Sequence, residues 1–283
     1  MDYSFRPLQI ASSSGMVDVL RIFLPKVTEI DDPDHVGDTA LHQAAVGGYK
    51  ESIQLLAGNG AEINRNNCRN RTPLHHAAAG CFLECVELML DWPGIYINTC
   101  DKNKRTPLFL ACSGHSPETA CLILNRLIES HFSVAEINQP TRRGRTLLGQ
   151  SYARGFDKIV TKLVQYAKEH DEVDSLRVNE TDIKNGLTSL HHAASPGSVA
   201  CVNELLAVNA DIVTKDKKGR TPLRIACAVL DNDLVAMCAA HGSIRLLQQL
   251  HSLNSDLNRT DRYGWTPLDL ARKSGHFDAE RLS

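Results

Sequence analysis

Residues 72–79 read TPLHHAAA, and the same phrase returns along the chain. It stands as TALHQAAVGG at 39–48, TPLFLAC at 106–112, TSLHHAA at 188–194, TPLRIAC at 221–227 and TPLDLA at 266–271. Two looser copies are RPLQIASSSG at 6–15 and TLLGQSYARG at 146–155. The anchors Arg6, Thr39, Thr72, Thr106, Thr146, Thr188, Thr221 and Thr266 are spaced by 33, 33, 34, 40, 42, 33 and 45 residues. A base period of 33 with occasional insertions marks a stacked-repeat architecture.

Each position of the phrase has a physical reason. Thr72 can cap a first helix by accepting a bond from a free backbone N–H. Pro73 sits just inside, where its fixed φ suits a helix start and its missing N–H costs nothing. Leu74 faces the core, and Ala77 and Ala78 are small enough to let neighbouring inner helices come close. Gly48 stands where a left-handed residue would end the inner helix. An outer helix follows with Ile53, Leu55 and Leu56 on one face, Gly60 ends it, and Asn64 opens the loop to the next unit. Such a unit cannot bury its own apolar face, so stacking must join the faces into one core.

The pattern resembles the ankyrin-repeat family over essentially the whole chain, Met1–Ser283. The resemblance implies an all-α solenoid of stacked helix-turn-helix units with projecting β-turn fingers, here a single domain. Its repeats run approximately 1–33, 34–66, 67–100, 101–140, 141–182, 183–215, 216–260 and 261–283. The fourth repeat has 7 extra residues before Asn138, expected as a longer outer helix through Leu127 and Ile128. The fifth has 9 extra around 168–178, KEHDEVDSLRV, expected as an exposed acidic loop. The seventh has 12 extra, and two registers compete for 228–257. The preferred register makes 242–250 the outer helix, since Asn258 then precedes Thr266 by the same eight residues that separate Asn64 from Thr72. The first repeat offers Ile10, Val19, Leu20, Ile22, Phe23 and Leu24 with no N-terminal cover in view, and the last repeat stops partway through its outer helix.

The resemblance also implies that the turns line a concave groove where partners bind. The repeat register places each finger in the five residues before an anchor. The second finger, 34–38, is acidic. The third carries Arg69 and Arg71, the fourth Lys102, Lys104 and Arg105 offset by Asp101, and the fifth Arg142, Arg143 and Arg145. The sixth carries Lys184, and the seventh carries Lys217, Lys218 and Arg220 offset by Asp216. Fingers three to five hold a net +7 in a chain whose total is −2. Side by side they are expected to form a basic stripe, with Tyr263 and Trp265 of the last finger as aromatic anchors. Guanidinium groups can bind carboxylates bidentately, which points to an acidic peptide or domain of another protein. Family usage and simple solvation also put basic residues in these turns.

The near-neutral total and the lack of an aromatic stacking set argue against a nucleic-acid ligand. No apolar run approaches the ~20 residues a membrane span needs, and the first residues, MDYSFRPLQI, do not read as a secretory leader. Nine cysteines without a C-x-x-C pair fit reduced thiols used as small packers in an intracellular protein, cytoplasmic or nuclear. Cys81 and Cys85 are expected on one helix face.

His42, His75 and His191 hold the motif position at which the ring satisfies backbone groups of the turns. His76 and His192 follow directly, and neighbours ~100° apart on a helix make a poor metal site. No metal or cofactor is expected. Asn64, Asn98, Asn138 and Asn258 are expected to hydrogen-bond within their loops. The resemblance adds that some repeats present this position to an asparagine hydroxylase. No phosphate loop, nucleophile elbow or zinc-protease motif occurs, so an enzyme is not expected. The favoured function is a protein-interaction module. The alternatives are the targeting or regulatory region of a channel, kinase or ubiquitin-ligase adaptor, and a polyanion binder.

Overall fold

A computed structural model describes residues 7–194, 199–222 and Ile225. Tyr263, Trp265, the final repeat and both registers of 228–257 lie outside the described residues. The chain divides into two compact units, Met1–Phe132 and Ser133–Ser283. Among the described residues there are helices and turns but no strand.

The first unit stacks four helix pairs: α1 (Pro7–Ser13) with α2 (Val17–Phe23), α3 (Ala40–Gly47) with α4 (Lys50–Gly58), α5 (Pro73–Ala79) with α6 (Leu83–Leu90), and α7 (Pro107–Ser113) with α8 (Pro117–Glu129). In the second, a short α9 (Val134–Ile137) precedes α10 (Leu147–Arg154) with α11 (Asp157–Glu169), and α12 (Ser189–Ala194) with α13 (Val199–Leu206). Inner helices pack in the series α1, α3, α5, α7 and again α10 on α12. Outer helices pack as α2, α4, α6, α8 and as α11 on α13.

The motif leucines Leu41, Leu74, Leu108, Leu148 and Leu190 are at most 1% exposed. Ala44, Ala45, Ala77, Ala78, Ala111, Cys112, Ala193 and Ala194 are wholly buried, so the small residues face neighbouring inner helices as the phrase requires. Cys112 fills an alanine position, while Tyr152 fills the same position in the fifth repeat and is also buried. On α4, Ile53 and Leu56 are fully buried and Leu55 half-buried. In the first repeat Leu20 and Leu24 enter the core, whereas Ile10, Met16 and Ile22 are exposed.

Gly48 ends α3 in the left-handed region, φ 71°, and a Cβ there would meet the Phe82 ring at 2.5 Å. Both conformation and contact therefore favour glycine at this position. Cys81 occupies the same turn of the next repeat at φ 57°, which corrects the expectation for the Cys81 and Cys85 pair. The left-handed turn delays α6 to Leu83, so Cys81 lies outside the helix that buries Cys85.

The insertions of repeats four and five are mates. The fourth lengthens its outer helix, α8, to 13 residues against 9 in α4, and then adds α9. The fifth lengthens α11 to Glu169 and forms a 3-10 turn, Val173–Leu176, against α9. The exposed-loop expectation for 168–178 thus needs correction. Leu176 is fully buried, Val178 nearly so, and Glu172 accepts the Val134 N–H at 2.6 Å. Apolar side chains spaced among the acids gave the segment an inward face.

Asn138 joins the two insertions. It is wholly buried, accepts the Leu148 N–H at 3.0 Å and donates to the Leu176 carbonyl at 2.7 Å. Asn64 also reaches out of its own loop: it donates to the Gly94 carbonyl at 2.7 Å and accepts the Tyr96 N–H at 2.9 Å. Asn179 does the same to Asn209 and Asp211. Asn64, Asn138 and Asn179 are staples between repeats, not loop-internal bonds, and Asn258 lies outside the described residues. A buried group left unpaired costs ~1–3 kcal/mol, so Asn138→Ala is expected to lose about 2–4 kcal/mol in urea unfolding. Asn64→Ala, at a half-buried position, should lose only about 1 kcal/mol by the same assay. Equal losses would show that burial does not set the cost.

Candidate partner-binding site on the finger turns

Every described finger closes by the same local chemistry. A short polar residue five or six positions before the anchor accepts N–H groups from the turn it opens, a geometry Asp, Asn and Thr side chains favour. Asp34 Oδ1 accepts from Val36 and Asp38, each at 2.9 Å. Asn67 Oδ1 accepts from Arg69 and Arg71 at 2.8 and 3.0 Å, and Asp101 Oδ1 from Asn103 and Arg105 at 2.8 and 2.9 Å. Asp216 Oδ1 accepts from Lys218 and Arg220, both at 2.8 Å. Thr141 Oγ1 accepts from Arg145 at 3.1 Å, and Asp182 Oδ1 accepts the Asn185 N–H. Lys104 takes the left-handed position that glycine holds at 37, 144, 186 and 219.

Successive fingers within a unit are joined by one backbone bond each. Cys68 N–H donates to the Val36 carbonyl at 3.0 Å and Lys102 N–H to that of Arg69 at 3.0 Å. In the second unit Ile183 N–H donates to Arg143 at 3.0 Å and Lys217 N–H to Asn185 at 2.8 Å.

The finger cations separate into two groups. Arg105 clamps Asp101 Oδ2 from Nε at 2.9 Å and Nη2 at 2.6 Å, and Arg71 adds Nε at 3.4 Å. Arg220 grips Asp216 Oδ2 from Nε at 2.8 Å and Nη2 at 2.7 Å. Burial would raise Asp101 and Asp216, but the arginine and turn N–H bonds outweigh it and hold both below the usual carboxylate range. Arg145 Nη1 donates to Gln150 Oε1 at 3.4 Å, and Lys217 Nζ donates to the Ile183 carbonyl. These five cations build the fingers. Arg69, Lys102, Lys104, Arg142, Arg143 and Lys218 are exposed, and their side chains have no ion pair among the described residues. Sequence reading missed this division because it counted Asp101 and Asp216 as diffuse offsets. Their recurrence five residues before an anchor was the signal that they frame the turn.

The histidines support the fingers from below. The His42 Nε2 meets the Arg71 carbonyl at 2.9 Å, and a carbonyl can only accept, so this nitrogen carries the proton. Nδ1 is left to accept the Thr39 N–H at 3.2 Å. His191 repeats the geometry with the Arg220 carbonyl at 3.0 Å and the Thr188 N–H at 3.1 Å, and His75 Nδ1 accepts the Thr72 N–H at 3.1 Å. The anchors cap their helices: Phe109 N–H and Gly149 N–H each reach a threonine oxygen at 3.1 Å. His76 sits edge-on to His42, with ring centroids 5.8 Å apart, beside Asp38 and Asn67.

Family profiles match most of the chain. One described as "Ankyrin repeats (3 copies)" covers residues 3–67, 51–134, 120–216 and 148–236, and one described as "Ankyrin repeats (many copies)" covers 235–279. The chain is similar to human Rabankyrin-5, 31% identical over 65% of this chain and 15% of that protein. It is similar to ankyrin repeat protein nuc-2 of Neurospora crassa, 28% identical over 73% of this chain and 21% of that protein. It is similar to the chicken nuclear factor NF-kappa-B p105 subunit, 24% identical over 75% of this chain and 17% of that protein. The matched part is thus about a fifth or less of each of these relatives.

Burial holds the supporting histidines neutral. It pushes His75 and His76 down to about 4, against the opposing charges of Asp101 and Asp38, and it lowers His42, His191 and His192 as well. An unfolded histidine titrates near ~6.5, so between the two values the unfolded chain binds more protons. Stability is therefore full above the unfolded value and lost as pH falls toward 4. The unfolding free energy from urea titrations is expected to drop by roughly a few kcal/mol from pH 7 to 4.5, before most carboxylates titrate. A flat profile over that range contradicts this account.

Proposed function

The chain belongs to the ankyrin-repeat family, whose repeats bind other proteins, and on that premise we propose that its fingers hold an acidic peptide or domain. One observation carries the reading: exposed cations, Arg69, Lys102 and Lys104 in the first unit and Arg142, Arg143 and Lys218 in the second, have no ion pair among the described residues. The fingers that present them are braced by carboxylates, histidines and backbone bonds, so these cations meet a ligand without ordering their backbone first. Carboxylates of a partner would take bidentate bonds from the arginines and single bonds from the lysines. Arg71, Arg105, Arg145, Lys217 and Arg220 enter the site as its frame. The partner is another protein, held in the groove between fingers and inner helices inside the cell, and the chain carries out no reaction of its own.

A second reading is that these repeats serve as the regulatory or targeting region of a longer protein. The short matched share of the relatives, 15–21%, favours it, and it uses the same fingers.

Affinity capture from native lysate with the full chain as bait, followed by mass spectrometry, identifies the partner. The double change Arg142→Glu and Arg143→Glu is expected to weaken its binding at least tenfold, with the melting temperature within ~2 °C, since surface changes away from packed features cost little. Lys158→Glu on α11 should leave capture intact. Equal loss from Lys158→Glu, or full capture by the double variant, would overturn the finger reading. Tight, steeply salt-dependent binding to DNA or heparin in place of a protein would instead support the polyanion alternative.

A further inference from the structure

The sixth finger departs from the arginine-clamped pattern of the fourth and the seventh. Asp101 and Asp216 are almost wholly buried, with 1% of each side chain exposed, and each is clamped by the arginine just before its anchor. Asp182 is buried to the same degree, with 3% of its side chain exposed. It opens the equivalent turn, donating its N–H to the Leu187 carbonyl at 3.0 Å as Asp216 does to Arg220 at 2.9 Å. Position 187 is therefore the place of Arg105 and Arg220, and it holds leucine. Asp182 Oδ1 accepts the Asn185 N–H, but Oδ2 makes no hydrogen bond. His192 Nε2 approaches Oδ2 only to 3.8 Å. Arg145, which could reach over from the fifth finger as Arg71 reaches Asp101, is turned to Gln150.

Asp182 lines a small pocket in the second unit together with Arg145, Gln150, Glu180, Ser189 and His192, and its Oδ2 is buried beneath that pocket's surface without a hydrogen bond. The pocket has about 10 Å³ of space, the room one water-sized group takes. A buried carboxylate oxygen without a donor is costly, and the group that answers it best is a compact cation with several N–H bonds to give. A guanidinium is planar and wide, whereas an ammonium is a compact point charge with three donors. Ser189 and Thr146 line the same pocket.

We infer that this pocket is a specificity site for the ammonium of one lysine side chain in the partner, paired with Asp182. The inference rests on the finger reading above, and it deepens it: the ligand is an acidic segment that carries a lysine among its carboxylates. Exposed Arg142 and Arg143 on the adjoining finger face the acids, and Asp182 takes the lysine.

Two acetylated, amidated heptapeptides test this with the full chain: six glutamates around a central lysine, and the same peptide with norleucine at the centre. The lysine makes the first peptide less acidic, so basic fingers alone would favour the norleucine form. The expected result is at least tenfold tighter binding of the lysine peptide at low salt, measured by calorimetry or fluorescence anisotropy. Asp182→Asn should erase that preference. Leu187→Arg, which supplies the missing guanidinium from within, should erase it too while raising the melting temperature, so the test survives if Asp182→Asn fails to fold. Equal or better binding of the norleucine peptide overturns the lysine pocket but leaves the acid-binding fingers standing. No binding of either peptide overturns both.

Discussion

One backbone hydrogen bond, repeated from finger to finger, sets the spacing on which the rest depends. Within each unit an amide near a finger's start donates to a carbonyl of the finger before it: Cys68 to Val36 and Lys102 to Arg69, Ile183 to Arg143 and Lys217 to Asn185. These donors belong to exposed residues, so the bond survives only because both turns are rigid before they meet. That rigidity comes from below. A short polar side chain ties each turn to itself, and in two repeats a neutral histidine ties the anchor threonine to the next finger's arginine carbonyl. The inner helices beneath pack through alanines that leave no room for drift.

This arrangement explains why charge and structure must be separated when a binding surface is read. Arg105 and Arg220 look like surface cations in the sequence, yet each is spent on a buried aspartate within its own finger. Lys102 and Arg143 stand near them in sequence with no such commitment. A turn braced by one cation can then present another at low entropic cost. The sixth finger, where Leu187 replaces the bracing arginine, leaves one oxygen of its buried aspartate without a hydrogen bond.

The repeat, the helix pairs and the finger register were legible in the sequence because each unit must carry its own copy of the packing solution. Leu74, Ala77, Ala78 and Gly48 hold positions that most copies fill in the same way, so the copies reinforce one another. What was hidden lay where repeats differ. The acidic 168–178 segment read as a wet loop, since its buried members, Leu176 and Val178, face an insertion in the previous repeat that has no counterpart elsewhere. Cys81 and Cys85 read as one helix face because the register did not show that Cys81 replaces a left-handed glycine. Asn64 and Asn138 read as loop-internal, but their partners are some thirty residues on or in the next helix, beyond any local pattern. The finger cations read as one set in the sequence, which could not divide them, because a clamped arginine and an available one are the same letter.

Amide hydrogen exchange measured by NMR on the full chain addresses the finger ladder itself. The amides of Cys68, Lys102, Ile183 and Lys217 are predicted to exchange far more slowly than an unstructured chain, despite the exposure of their side chains. Exchange at the unstructured rate at these four positions would mean that the fingers are not held in register, and the platform for a partner would be lost.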